Sequence, residues 1–166
     1  MPIQKRTLSV LVQDEAGVLT RIAGMFSRRG FNIESLSVGS SEQAGLSRMT
    51  IMALADEDEI EQIKKQLDKL IDVISVECLD EIPFVDRELI LIQVKAEAST
   101  RVEISQIIEL FRGRVIDVAE SSLIIEVTGD QGKLKAIVEL LKKFGIESIC
   151  RTGQIALKRG SKGEQV

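Results

Sequence analysis

The sequence predicts an α+β protein in which one element order, βαββαβ, occurs twice in succession. Three observations predict it. Apolar residues recur at spacings of 0, 3, 4 and 7 in two corresponding helical stretches. Short strand-like runs flank each stretch in the same order. A glycine follows the first helix of both copies. Units of about 70–75 residues with this order fit the ferredoxin-like sandwich, an antiparallel sheet with two helices on one face.

Taken in order, Thr7–Val12 is a strand and Val18–Arg28 a helix whose stripe is Leu19, Ile22, Ala23 and Phe26. Gly30 ends that helix, because glycine tolerates the left-handed conformation of a C-terminal cap. Strands follow at Phe31–Val38 and Ser47–Leu54, joined by the turn-rich Gly39-Ser40-Ser41-Glu42-Gln43-Ala44-Gly45. A helix over Glu57–Leu70 presents Ile60, Ile63, Leu67 and Leu70, and a strand at Val73–Cys78 closes the first copy. The acidic run Asp56-Glu57-Asp58-Glu59 stands at the start of that helix, where carboxylates favour the helix dipole.

The second copy reads as a strand at Leu89–Val94 and a helix at Val102–Phe111 with Ile104, Ile107, Ile108 and Phe111. Gly113 stands in the place of Gly30. Strands at Val115–Ala119 and Leu123–Thr128 come next, then a helix carrying Leu134, Ile137, Val138 and Leu141, and a strand at Ile146–Cys150. The turn Gly39–Gly45 has no counterpart here. Cys78 and Cys150 fall at matching places in the two closing strands and read as small buried residues. The division expected is a first domain over 1–80, a linker over 81–87, a second domain over 88–159 and a basic tail over 160–166. Pro83 marks the linker, since it cannot donate to a strand ladder. Strand order 4-1-3-2 leaves the second strand of each sheet at an edge, a route to a homodimer.

Composition excludes whole classes of chemistry. The 166 residues include no His, Trp or Tyr, which removes His-based triads, His-ligated zinc and imidazole acid–base catalysis. Five Phe and an acidic body, −9 between Thr7 and Cys150 within a net −4, disfavour a nucleic acid partner. No apolar run reaches the roughly 20 residues of a membrane helix. The first apolar segment begins at Thr7, and a cytoplasmic location is expected.

Gln13-Asp14-Glu15-Ala16-Gly17-Val18-Leu19 joins a strand to a helix through a polar residue and a glycine. Such a stretch reads as a capped turn. It also reads as a loop that holds a carboxylate on free helix N–H groups, with Gly17 allowing close approach. The matching loop of the second copy, Lys95–Val102, has no glycine, as expected if a site were built only once. Asn32, at the start of the predicted edge strand, offers both donors and acceptors.

The stretches LSVLVQDEAGVLTRIAGMFSRRGFNIESLSV, LSRMTI, FRGRVIDV and Cys150-Arg151-Thr152-Gly153 together resemble the small regulatory subunits of acetolactate (acetohydroxyacid) synthase, from about Arg6 to Arg159. The resemblance implies that the first copy is an ACT domain pairing edge to edge in a homodimer. It implies a branched-chain amino acid effector, typically valine, bound between protomers by Asp14, Ala16, Gly17, Val18 and Leu19 of one chain and by Asn32 and Ile33 of the other. Many ACT loops have Pro where this chain has Ala16. Close relatives often have Asn where it has Asp14, whose carboxylate can pair with the effector's ammonium. The resemblance also implies a separate catalytic large subunit carrying thiamine diphosphate, Mg²⁺ and FAD, with no cofactor on this chain. An unrelated ACT-type amino-acid-binding module and a free-standing ferredoxin-like enzyme are the competing readings. The second lacks a nucleophile paired with a base.

Overall fold

The computed structural model describes residues 2–160. The first unit contains β1 (Gln4–Gln13), α1 (Val18–Arg28), β2 (Ile33–Ser40), β3 (Leu46–Ala55), α2 (Glu57–Asp68) and β4 (Val73–Cys78). Its antiparallel sheet has the order β2-β3-β1-β4, the predicted 4-1-3-2, with β2 at one edge. Alternation along the central strands sends Leu8, Val10 and Val12 of β1 and Met49, Ile51 and Ala53 of β3 to the helix side. They meet Ile22 and Phe26 of α1 and Ile60, Ile63 and Leu67 of α2 in one core. Each fully buried Leu, Ile or Phe contributes about 1.5–3 kcal/mol relative to an exposed one.

The α1 stripe is rotated from the predicted one. Val18, Ile22, Met25 and Phe26 are buried, whereas Leu19 is 43% exposed. Gly30 caps α1 as predicted, at φ +72°. Its N–H donates to the Ser27 carbonyl and that of Phe31 to the Phe26 carbonyl, a pairing that satisfies the helix end. Phe31 then sets its ring edge-on to Phe26, with centroids 6.4 Å apart.

The second unit repeats the order with β5 (Phe84–Lys95), α3 (Arg101–Leu110), β6 (Arg114–Val118), β7 (Ser122–Gly129), α4 (Gln131–Leu141) and β8 (Ile146–Arg151). The sheet order is β6-β7-β5-β8. Ile90, Ile92 and Val94 of β5 join Ile104, Ile108, Leu134, Ile137 and Leu141 in a separate core.

Four expectations are corrected. Residues 81–87 do not form a free linker: β5 begins at Phe84, directly after Pro83, whose missing N–H is harmless at a strand start. Gly113 is not the counterpart of Gly30. The left-handed residue is Arg112, at φ +54°, and its N–H bonds Glu109 as that of Gly30 bonds Ser27. Gly113 is required instead for close packing, because a Cβ there would lie 2.9 Å from Val127 Cγ2 and 3.2 Å from the Glu126 carbonyl oxygen. Cys78 is buried but Cys150 is exposed. Cys78 faces Leu8, a core residue, while Cys150 faces Leu91 on the other side of its sheet; a one-residue offset flips a strand side chain.

The fourth correction is β9 (Ile155–Lys158), a strand the sequence reading omits. By contacts the chain divides into Met1–Val85 with the segment from Gln154 onward, and Asp86–Gly153. β9 therefore belongs to the first unit rather than to a second domain ending at 159. It pairs with β5, and its segment reaches the sheet face opposite the helices at Thr50 and Ser35. The Ala156 N–H donates to Thr50 Oγ1 at 3.4 Å, and the Gln154 N–H to Ser35 Oγ at 3.1 Å. Thr7, Thr50 and Met52 are buried on that face. Of the predicted tail, 160–166, all but Gly160 lies outside the described residues. Among the described residues, no helix is long and apolar enough to cross a membrane.

Candidate effector site

The loop between β1 and α1 is fixed at its base from two sides. The Gln13 N–H donates to the Asp72 carbonyl oxygen at 2.8 Å, and the Asp14 N–H to the Gly45 carbonyl oxygen at 2.9 Å. The turn Ser41–Gly45, which only the first copy has, thus holds the start of the loop. Asp14, Glu15, Ala16 and Gly17 are then exposed, while Val18 plugs into the core.

Gly17 is the N-cap of α1 and adopts φ +87°, ψ −8°. That left-handed conformation is natural to glycine and costs an L-residue roughly 1–2 kcal/mol. The helix start is bare. No side chain caps α1, and its first turn holds no acid. The other helices differ. Asp56 and Glu59 form a reciprocal capping box on α2 at 2.9 Å each way, and Asp130 Oδ1 accepts the Lys133 N–H at 2.9 Å on α4. α3 has Glu103 in its first turn. The first amides of α1 therefore present partial positive charge to the exposed loop without a capping side chain.

Arg21, one helical turn after Gly17, folds back over this end, as side chains on a helix do. Its Nε–H donates to Asp72 Oδ2 at 2.5 Å. That hydrogen bond, helped by the charges of Asp72 and Glu15, raises the Arg21 pKa above the usual guanidinium value. Neither Arg21 nor Asp72 belongs to the site as read from the sequence. The spacing of Gly17 and Arg21 was a legible signal for the first. Asp72 comes from a turn distant in sequence and has no such signal.

The predicted residues divide into two places. Asp14, Ala16, Gly17, Val18 and Leu19 gather at the N-terminal end of α1. Asn32 and Ile33 follow its C-terminal end, about 16 Å away for 11 residues at 1.5 Å rise each. Asn32 is exposed and Ile33 opens β2. Within one chain the two groups do not meet. Among the described residues no group of three or more His, Cys, Asp or Glu side chains gathers to hold a metal ion.

Two family models match, "AHAS small subunit-like ACT domain" over residues 8–75 and "Small subunit of acetolactate synthase" over residues 87–160. The acetolactate synthase small subunit of Mycobacterium bovis is 50% identical over 163 residues, covering 98% of this chain and 97% of the relative. A probable acetolactate synthase small subunit of Archaeoglobus fulgidus is 49% identical over 95% of this chain and 99% of its own length. Against the chloroplastic small subunit 2 of Arabidopsis thaliana the identity is 49%, and this chain spans 34% of that longer protein. The crystal structure of the acetolactate synthase small subunit from Thermotoga maritima superposes with a TM-score of 0.88 at 43% identity, covering 95% of this chain and 99% of the other.

Proposed function

The chain belongs to the family of acetolactate synthase small subunits, and on that premise we propose that it activates a separate catalytic subunit and carries feedback inhibition by a branched-chain amino acid, valine first. On this proposal thiamine diphosphate, Mg²⁺ and FAD reside on the catalytic subunit, and both proteins work in the cytoplasm. The effector lies on the Asp14–Leu19 loop of one protomer and against Asn32 and Ile33 of its partner.

One observation carries the effector reading: the exposed Gly17 N-cap opens an uncapped helix, while Asn32 stands at the helix's other end. A zwitterion fits such a loop. Its carboxylate meets the α1 amides, and its ammonium meets Asp14. A homodimer accounts for the separation. α1 connects β1 to the edge strand β2. In an antiparallel, two-fold pairing of β2 with its mate, the N-terminus of one α1 faces the C-terminus of the other. Asn32 of each protomer then faces the other's Gly17. An effector at that seam stabilises one arrangement of the pair, and binding it differently in active and inactive complexes is what inhibition requires.

The test is acetolactate formation from pyruvate with thiamine diphosphate and Mg²⁺. The chain alone should give none. Added to the catalytic subunit it should raise turnover, and valine should reverse the gain. Acetolactate formation by the isolated chain, or no change on mixing, overturns the proposal. Calorimetric titration with Val, Leu and Ile ranks the effectors.

A further inference from the structure

The guanidinium of Arg21 is held where an effector carboxylate would arrive. Its Nε–H is committed to Asp72, whose side chain is 9% exposed against 47% for that of Arg21. Asp72 is itself fixed through the Gln13 N–H, so the guanidinium is tied by one edge to the base of the loop. Its other edge lies over the bare Cα of Gly17: a Cβ there would stand 2.9 Å from Nη1. Among the described residues neither Nη atom has a hydrogen-bond acceptor. A guanidinium carries five N–H donors, and the Asp72 bond uses one.

We propose that Arg21 is the specificity-determining cation of the effector site, its two Nη groups taking the effector's carboxylate as a fork while Asp72 positions it. The proposal rests on the reading that the Asp14–Leu19 loop takes an amino acid. It assigns class selectivity to Arg21, which distinguishes a free α-carboxylate from an amide, and leaves the choice among apolar side chains to other contacts. A pinned guanidinium loses little freedom when a carboxylate docks, and two parallel N–H···O bonds are stronger and more directional than a contact to the helix dipole alone. Gly17, which its positive φ already favours, leaves Nη1 in place, whereas a Cβ there would shift it.

A purely structural ion pair, tying α1 to the turn before β4, is the alternative, and the ratio of two affinities separates them. Valine and valine amide are titrated into the full chain by calorimetry at pH 6.5, where the amines of both are protonated. The unaltered chain should prefer valine at least tenfold. The pair Arg21→Gln with Asp72→Asn keeps a hydrogen bond between the two positions without charge. It should bind valine at least tenfold more weakly, bind the amide within about threefold of the unaltered chain, and lose most of the preference. Arg21→Gln alone gives a second reading of the same ratio, which a reduced folded fraction leaves untouched because it scales both ligands alike. If the unaltered chain binds valine and either variant keeps its preference, the Arg21 proposal falls and the effector reading stands. If the unaltered chain takes up neither ligand, both fall.

Discussion

At the scale of the residue, Gly17 decides most. Its left-handed φ disfavours a side chain, and a Cβ there would also displace the Arg21 guanidinium. In Gly17→Asp the new carboxylate repels that of the effector and occupies Arg21 at the same time. Like charges about 4 Å apart at an effective dielectric near 20 cost roughly 4 kcal/mol, and a third of that is about tenfold in affinity. Valine inhibition should therefore be abolished and activation retained, with unfolding stability lower by about 1–2 kcal/mol from the backbone alone. Inhibition curves beside denaturant titration check both halves. A variant that stays fully valine-sensitive removes the effector from this loop. Asn32→Ala should weaken valine binding more modestly, because it deletes hydrogen bonds without adding repulsion. Of the residues proposed for the site, the glycine and its polar neighbours were proposed from the sequence because backbone freedom and charge are written in single letters. Asp72 was not, since only folding brings it to Arg21.

At the scale of the element, the two copies show how far periodicity reaches. Strand alternation and strand order were both readable, yet the first helices align differently from the pattern. Ile22 and Phe26 occupy the places of Ile104 and Ile108, judged by the matching carbonyl bonds at each helix end, Phe31 to Phe26 and Gly113 to Ile108. The apolar stripes had suggested a register three residues away. Spacings of three and four lie on the same helix face, so an apolar stripe slides by about one turn and still matches. Caps are firmer signals. The acidic run at Asp56 forms a reciprocal cap on α2, so Asp56→Ala should cost about 1 kcal/mol of stability in a denaturant titration. A neutral result would leave the α2 start to tertiary packing alone.

At the scale of the whole molecule, β9 changes how the repeat is to be tested. A chain ended after about Leu79 isolates the first βαββαβ copy, but it also removes the strand that reaches the back of that sheet. Any change in activation then has two causes. Ending the chain after Gly153 keeps both copies and removes the β9 contacts. Losing the Thr50 and Ser35 hydrogen bonds should cost about 1–3 kcal/mol, a drop of several degrees in melting temperature. Thermal unfolding measures it. An unchanged melting temperature would show that β9 adds nothing to the first unit.

The sequence by itself determined the repeated βαββαβ order, the Gly30 cap and the loop that carries Gly17, because each follows from spacing and backbone freedom within a few residues. The sheet topology followed from fitting that order to the ferredoxin-like sandwich. Tertiary structure alone decided that the last strand returns to the first unit, that Cys150 faces away from its core, that Arg112 rather than Gly113 turns the chain, and that Asp72 holds Arg21. These depend on contacts between positions far apart in the chain, and on one-residue differences of register. A periodic pattern averages such differences away, whereas packing does not.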